Sequence, residues 1–277
     1  MHGEDSNSNG DYRSGGSWRD RPDSVRPTVL ILGGFLTAPP MYRRFVERLR
    51  ARGVAGVVVA DVWTPDWLIA ATRGAGAIAT RSGRALLEAG RMTAEVSDGA
   101  PVLVVGHSAG GLIARMLTAA EPLPGRRFGA AARIGAIATL GTPHLATGGD
   151  GIGRRLNTVV SGVAERAAPG AFHAPRIGYV SVASRAIRGD PNGNGRERVA
   201  HLLYRSVLGR AAVAGTEGDG LVPVAAAMLG GSRQIVVDAV HGPSAGLPWY
   251  GTDSPMDVWW PVALAAWHEA LAYRAAE

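Results

Sequence analysis

From residue 28 onward, apolar runs of β type alternate with segments of helical period. Thr28–Phe35 (TVLILGGF) is an apolar run closed by Gly-Gly, the pattern of a strand buried on both faces. Pro39-Pro40 opens a helix to about Arg52, with Tyr42, Phe45, Val46 and Leu49 on one face. Ala55–Val62 reads as a second strand and Arg81 to about Val96 as a helix. Pro101–Val105 is a third strand, followed by a helix over Gly110–Ala120 that stops before Pro122. Ile134–Leu140, Tyr179–Ser184 and Gln234–Val240 complete six strands. A last helix spans about Met256 to Ala275 and is interrupted early by Trp-Trp-Pro. Strands separated by helical segments predict an α/β fold, with a mainly parallel central sheet and helices on both faces.

Two segments break this rhythm. Residues 144–177 lie between the fourth and fifth strands, and Ile152–Glu165 within them is weakly helical. Residues 189–220 lie between the fifth strand and a short helix, Val222–Leu229. Both follow strand C-termini, where open α/β sheets place ligand sites. The first is a candidate for a small lid-like insert and the second for an acid-bearing loop region. Residues 1–27 are polar and lack the apolar core of a signal peptide, so they read as a disordered lead before a single domain over 28–277. No apolar run reaches the ~18 residues that span a bilayer. This is the pattern expected of a cytoplasmic protein without a transmembrane segment.

Composition removes several chemistries. All 29 basic residues are Arg, and there is no Cys. Without Lys there is no Schiff base, Walker-A loop or S-x-x-K acylation site. Without Cys there is no disulfide, thiolate metal site or thiol nucleophile. The net charge is +6, but its Arg residues are scattered, with no basic stripe and no interleaved aromatics. Nucleic acid is therefore not an expected partner.

A covalent catalyst must then be a hydroxyl, carboxylate or imidazole. Gly106-His107-Ser108-Ala109-Gly110 fits G-x-S-x-G, with an apolar strand before it and a helix after it. Such a turn is strained and needs the small residues Gly106 and Gly110 for its bend. A nucleophilic Ser108 needs a base and an orienting acid, in chain order Ser, acid, His. Of the seven His, His2 lies in the lead and His107 inside the elbow, while His144, His173 and His201 precede the acid and His268 lies in the last helix beside Glu269. His241, directly after the last strand, remains. The acid is Asp219, flanked by Gly218 and Gly220; Asp190 is its rival, and Asp238 is too close to His241 in sequence. The oxyanion hole is expected from the backbone N–H of Ala109 and of Phe35, in the loop Gly33-Gly34-Phe35-Leu36 after the first strand. Phe35, Leu36, Trp63, Trp67, Leu145, Trp249 and Tyr250 follow strand ends or His241, and form a candidate apolar lining for an acyl chain. Asp190–Gly195 matches the first half of a calcium loop, but position twelve is His201 rather than Glu and Pro191 is unsuitable, so it reads as a polar turn. No H-x-x-x-H or H-E-x-x-H motif suggests zinc. No metal or organic cofactor is expected.

These residues resemble the α/β-hydrolase superfamily, and within it lipase-like and esterase-like enzymes. Leu140-Gly141-Thr142-Pro143-His144 looks like the L-G-T-P-H segment of bacterial lipases, and Gly218-Asp219-Gly220-Leu221-Val222-Pro223 like their acid-bearing G-D-G-x-V-P. Tyr179–Ala183, Val207–Ala212, Gly218–Pro223 and Pro248–Gly251 are similar to a plant and cyanobacterial lipase-like subgroup. The resemblance covers residues 28–270. It implies an α/β-hydrolase fold and a triad of Ser108, Asp219 and His241 with donors at Phe35 and Ala109. The implied activity is hydrolysis of a small-molecule or lipid carboxylic ester. One departure is Gly33-Gly34, where many relatives carry His-Gly. Acyl transfer from the same acyl-enzyme, peptidase activity and a non-catalytic binding protein of the same fold are the alternatives.

Overall fold

The computed structural model describes residues 17–20, 24–120, 128–146, 160–243 and 247–277. Six parallel strands form the central sheet: β1 (Thr28–Leu32), β2 (Gly56–Val59), β3 (Val102–His107), β4 (Ile134–Leu140), β5 (Gly178–Ser184) and β8 (Arg233–Val237). Their order is β2-β1-β3-β4-β5-β8. The chain runs outward from β1 to β2, then crosses back over β1 to β3 and continues the other way. The switch between β1 and β3 leaves a crevice at their C-terminal ends, because the two following loops diverge.

Alternating side chains of the strands bury into two separate cores. On one face, Val29, Ile31, Leu103, Val105, Ala138 and Val182 pack against α1 (Arg43–Ala51) and α8 (Asp253–Ala275). On the other, Leu30, Leu32, Val104 and Ile137 pack against α2 (Thr64–Arg73), α3 (Gly76–Val96) and α4 (Ala109–Leu117). Both faces are apolar, which is why the strands read as continuous rather than alternating runs.

Several elements differ from the sequence expectation. The last helix runs unbroken through Pro261, which faces solvent, while Trp259, Trp260 and Trp267 hold the helix to the sheet. Helix α2 was not expected, and α3 begins before Arg81. Residues 189–220 are not an open loop. They hold α6 (Gly195–Leu208) and, with β6 (Ile187–Gly189), the antiparallel partner β7 (Thr216–Gly218). With the short helix α7 (Val224–Ala227) they form a third core around Tyr204, Val207 and Val222. Asn194 accepts from the N–H groups of Arg196 and Glu197, and Glu197 returns a bond to the Asn194 N–H, so the calcium-like stretch is a helix cap.

Most of the expected lead, 1–16 and 21–23, lies outside the described residues, but Trp18 and Val25 are buried against α8 and the sheet. The packed core therefore takes in residues before Thr28. Of the expected insert, 147–159 lie outside the described residues. The part that is described is seated on α4 through α5 (Gly162–Ala167): buried Arg115 donates to Glu165 Oε2 and to the Ala168 carbonyl. No described helix is long and apolar enough to cross a membrane.

Candidate functional site

The site lies in the crevice between the ends of β1 and β3. Ser108 follows β3 directly and precedes α4, in the left-handed region at φ 54°. Such strain persists only where the surroundings fix it. Here the Ser108 N–H donates to the Leu140 carbonyl, and the Ser108 carbonyl accepts from the Gly111 N–H and Thr142 Oγ1. A Cβ on Gly110 would lie 2.1 Å from the Leu32 carbonyl oxygen, and one on Gly106 would lie 2.4 Å from Gly111 Cα. Neither backbone atom can retreat, so the turn admits only glycine at both positions.

The three polar residues expected from the sequence meet in one hydrogen-bonded line. His241 Nε2 is 2.9 Å from Ser108 Oγ, and His241 Nδ1 is 2.8 Å from Asp219 Oδ2. A carboxylate only accepts, so Nδ1 carries the hydrogen and Nε2 is left to accept from the serine hydroxyl. Asp219 is fully buried with four donors around it: Oδ1 takes the Leu221 and Val222 N–H groups, and Oδ2 takes His241 Nδ1 and the Tyr250 hydroxyl. Burial alone would raise its pKa. The charge and hydrogen bond of His241 and the two backbone N–H groups outweigh burial and hold it below the usual carboxylate range. Asp190, the rival acid, is instead tied to the Asn192 N–H at the start of the α6 cap.

Across the crevice, the loop after β1 lies directly on the serine. A Cβ on Gly34 would fall 2.5 Å from Ser108 Cβ, and one on Gly33 2.7 Å from Thr37 Oγ1, so close contacts crowd both glycines and the second lies on the serine itself. The Gly34 carbonyl accepts from Thr37 Oγ1 and the Thr37 N–H, which closes a turn with Leu36 at φ 60°. Among the described residues, the Phe35 N–H in this loop has no hydrogen-bond partner, and Ala109 is the first residue of α4, where an N–H has none within the helix.

The expected lining divides. Leu36, Trp63 and Leu145 are exposed. Trp67, Trp249 and Tyr250 are buried. Trp67 packs edge-on to Phe35, and Trp249 packs among Tyr42, Phe45 and His107. Tyr250 faces Asp219. All three follow strand ends or His241, but at those points the chain turns inward over the sheet. A cavity of ≈ 600 Å³ opens beside the His241 loop, between Pro40, Met41 and Arg44 on one side and Pro243 and Leu247 on the other. Of the expected lining residues only Trp249 borders it.

Three further histidines, His107, His144 and His201, are buried outside this line. His107 sits between Tyr42 and His241, and His144 between Arg115 and Thr139. Burial first, then the neighbouring charge of His241 or Arg115, pushes the pKa of each of these two down to about 3. The titratable groups facing them are Tyr42, His241 and Asp219 around His107, and Arg115 with Glu165 beyond it around His144. The folded state keeps both neutral where the unfolded chain, with its histidine pKa of 6.5, is protonated. Their contribution is therefore complete above pH 6.5 and is lost as pH falls, at about 1.4 kcal/mol per pH unit for each. The urea midpoint is expected to drop steadily from pH 7 to pH 4, and His144→Gln to flatten that drop. A midpoint constant over this range would contradict it.

Neither a protein-family model nor a curated protein sequence matches the chain. Among solved structures it is similar to esterase 2 of Thermogutta terrifontis, at 16% identity over 92% of this chain and 85% of that one, with a TM-score of 0.44. A protein of Xanthomonas campestris pv. campestris assigned to the α/β hydrolase superfamily matches at 16% identity over 90% of this chain and 99% of its own, with a TM-score of 0.36. A pyrethroid hydrolase of Sphingobium faniae matches at 20% identity and a TM-score of 0.28, over 45% of this chain. The match takes in 42% of that hydrolase, less than half its length. The chain's own topology is a parallel sheet in the order β2-β1-β3-β4-β5-β8, a strand–turn–helix at Ser108 after β3, and His241 after the last strand. By that topology the chain has an α/β-hydrolase fold.

Proposed function

We propose that the chain is a serine hydrolase of carboxylic esters, of the esterase or lipase kind. The observation that carries this reading is the line Ser108–His241–Asp219 at the switch point, on a strained turn between β3 and α4 and against the loop that leads into Phe35. Ser108 Oγ attacks the ester carbonyl carbon while His241 Nε2 takes its proton. The N–H groups of Phe35 and Ala109 receive the developing oxyanion. The C–O bond to the alcohol then breaks as His241 returns the proton to the leaving oxygen, and an acyl ester remains on Ser108. Water attacks that ester, His241 takes a proton from the water, and collapse restores the Ser108 hydroxyl. Asp219 stays ionised throughout and stabilises the imidazolium. Leu36, an exposed apolar side chain in the loop that lies on Ser108, favours an uncharged acyl group, so the substrate class we read is a small-molecule or lipid ester.

The test is hydrolysis of p-nitrophenyl esters of graded chain length, together with labelling by a fluorophosphonate. Turnover and a single adduct on Ser108 are expected. Absence of both would overturn the assignment.

A further inference from the structure

Beyond the triad, the structure holds a second polar chain that the reaction above does not use. Tyr42 Oη is 2.8 Å from His107 Nδ1, and His107 Nε2 is 2.7 Å from the His241 carbonyl oxygen. At its other end, Tyr42 Oη is 3.4 Å from the Gly34 N–H. Tyr42 and His107 are both buried.

The direction of every bond follows from one end. The His241 carbonyl can only accept, so His107 Nε2 carries a hydrogen. His107 is neutral, so Nδ1 has none and must accept. Tyr42 therefore donates its hydroxyl hydrogen to Nδ1, which leaves its oxygen free to accept from Gly34. Every member is satisfied in one arrangement, the condition under which a buried network is rigid rather than costly.

The chain's ends are the two parts of the site that the sheet does not hold. His241 lies beyond β8, which ends at Val237, so no ladder fixes it. Beyond the bridge of Val240 to Trp249, its backbone is held by its own N–H to the Asp219 carbonyl and by its carbonyl to His107. Gly34 lies beyond β1 and immediately precedes Phe35.

We propose that Tyr42 and His107 are positioning residues: their relay fixes the backbone of His241 and the Gly34–Phe35 loop relative to each other, across the elbow that carries Ser108. This rests on the serine-hydrolase reading of the site. The relay spans base and oxyanion donor at once, so breaking it displaces two groups that must converge on one carbonyl. His107 also has to stay neutral: its ring centroid is 5.1 Å from that of His241, and a charge there would oppose formation of the His241 imidazolium.

Three variants test this. Tyr42→Phe removes the hydroxyl and leaves the ring packing against Trp249. His107→Leu removes both bonds. His107→Gln restores them, since its amide can donate to the His241 carbonyl while its oxygen accepts from Tyr42. In a p-nitrophenyl acetate assay, Tyr42→Phe and His107→Leu are expected to lower kcat about 10- to 100-fold with KM little changed. His107→Gln is expected to recover to within a few-fold of the parent. The fluorophosphonate labelling rate follows the same order, and the downfield proton resonance of His241 Nδ1–H is broadened or lost in His107→Leu. Folded Tyr42→Phe and His107→Leu proteins that label at the parent rate with an unchanged resonance would overturn the relay. If the parent itself neither labels nor turns over, the hydrolase reading fails. The resonance then decides the relay alone: its loss in His107→Leu supports the coupling, and its persistence refutes it.

Discussion

Replacing Ser108 by alanine is expected to lower kcat for ester hydrolysis about 10⁶-fold, to the residual rate left by binding and the oxyanion donors. The size follows from what is removed: without Oγ no acyl-enzyme forms, and His241 has no proton to take. The substitution keeps the Cβ, and it is the Cβ that strains a residue at φ 54°. The bonds that fix the turn, to Leu140, Gly111 and Thr142, run through the backbone. Thermal stability should therefore stay within ~0.5 kcal/mol of the parent, and lost turnover will report chemistry rather than fold. Kinetics on p-nitrophenyl esters, with mass spectrometry of the fluorophosphonate adduct, measures both consequences. Turnover undiminished in Ser108→Ala would place the nucleophile elsewhere.

The central sheet was legible because parallel strands buried on both faces are written as short, unbroken apolar runs. All six were located, with Ile134–Leu140 correct at both ends. The elements that escaped carry weaker marks. Helix α2 begins at Thr64-Pro65-Asp66, with Pro in its first turn and Asp66 bonding back to the Trp63 N–H. That is a start signal, but the cap residue is Trp rather than Ser, Thr, Asp or Asn. Helix α6 carries a clear capping box at Asn194 and Glu197. The same residues compose a half-match to a calcium loop, so one short polar stretch carries two overlapping patterns. The β6–β7 ribbon is three residues long on each side, too short for any period to register.

In the site, the residues with chain-order and local-motif constraints are those the structure brings together. Ser108 and Asp219 each directly follow a strand with glycines close by, and His241 follows the last strand by four residues with Gly242 after it. The lining residues had only position relative to strand ends, and position does not say which way a side chain turns. Trp249 and Tyr250 follow His241 by eight and nine residues, yet both turn under the site rather than into it. The partnership of Tyr250 with Asp219, and of Tyr42 with His107, joins residues 31 and 65 positions apart, and no local pattern announces it. Gly33-Gly34 is visible in the sequence, but only the structure shows that both are crowded, Gly33 by Thr37 Oγ1 at 2.7 Å and Gly34 by Ser108 Cβ at 2.5 Å from an added Cβ.

Replacing Asp219 by asparagine is expected to lower kcat about 10⁴-fold while leaving the site's shape intact. The reason is a count of donors and acceptors. Four donors converge on the carboxylate and none of its neighbours there is a pure acceptor. An amide must turn its NH₂ toward one pair. Toward Leu221 and Val222 it would meet two backbone N–H groups that cannot rotate, so it will face His241 and Tyr250. The Tyr250 hydroxyl can rotate to accept. His241 can accept only by moving its hydrogen from Nδ1 to Nε2, and Nε2–H then points at Ser108 Oγ and cannot take its proton. The variant should fold, bind ester and stall at the attack step, with KM close to the parent's. Tyr250→Phe separates this from general loosening of the acid. It removes one donor but leaves the tautomer of His241 unchanged, and should cost no more than about tenfold, the scale of one ordinary hydrogen bond. Stopped-flow kinetics of the acylation step on both variants gives the comparison. An Asp219→Asn rate within tenfold of the parent would show that the carboxylate does not set the tautomer of the base.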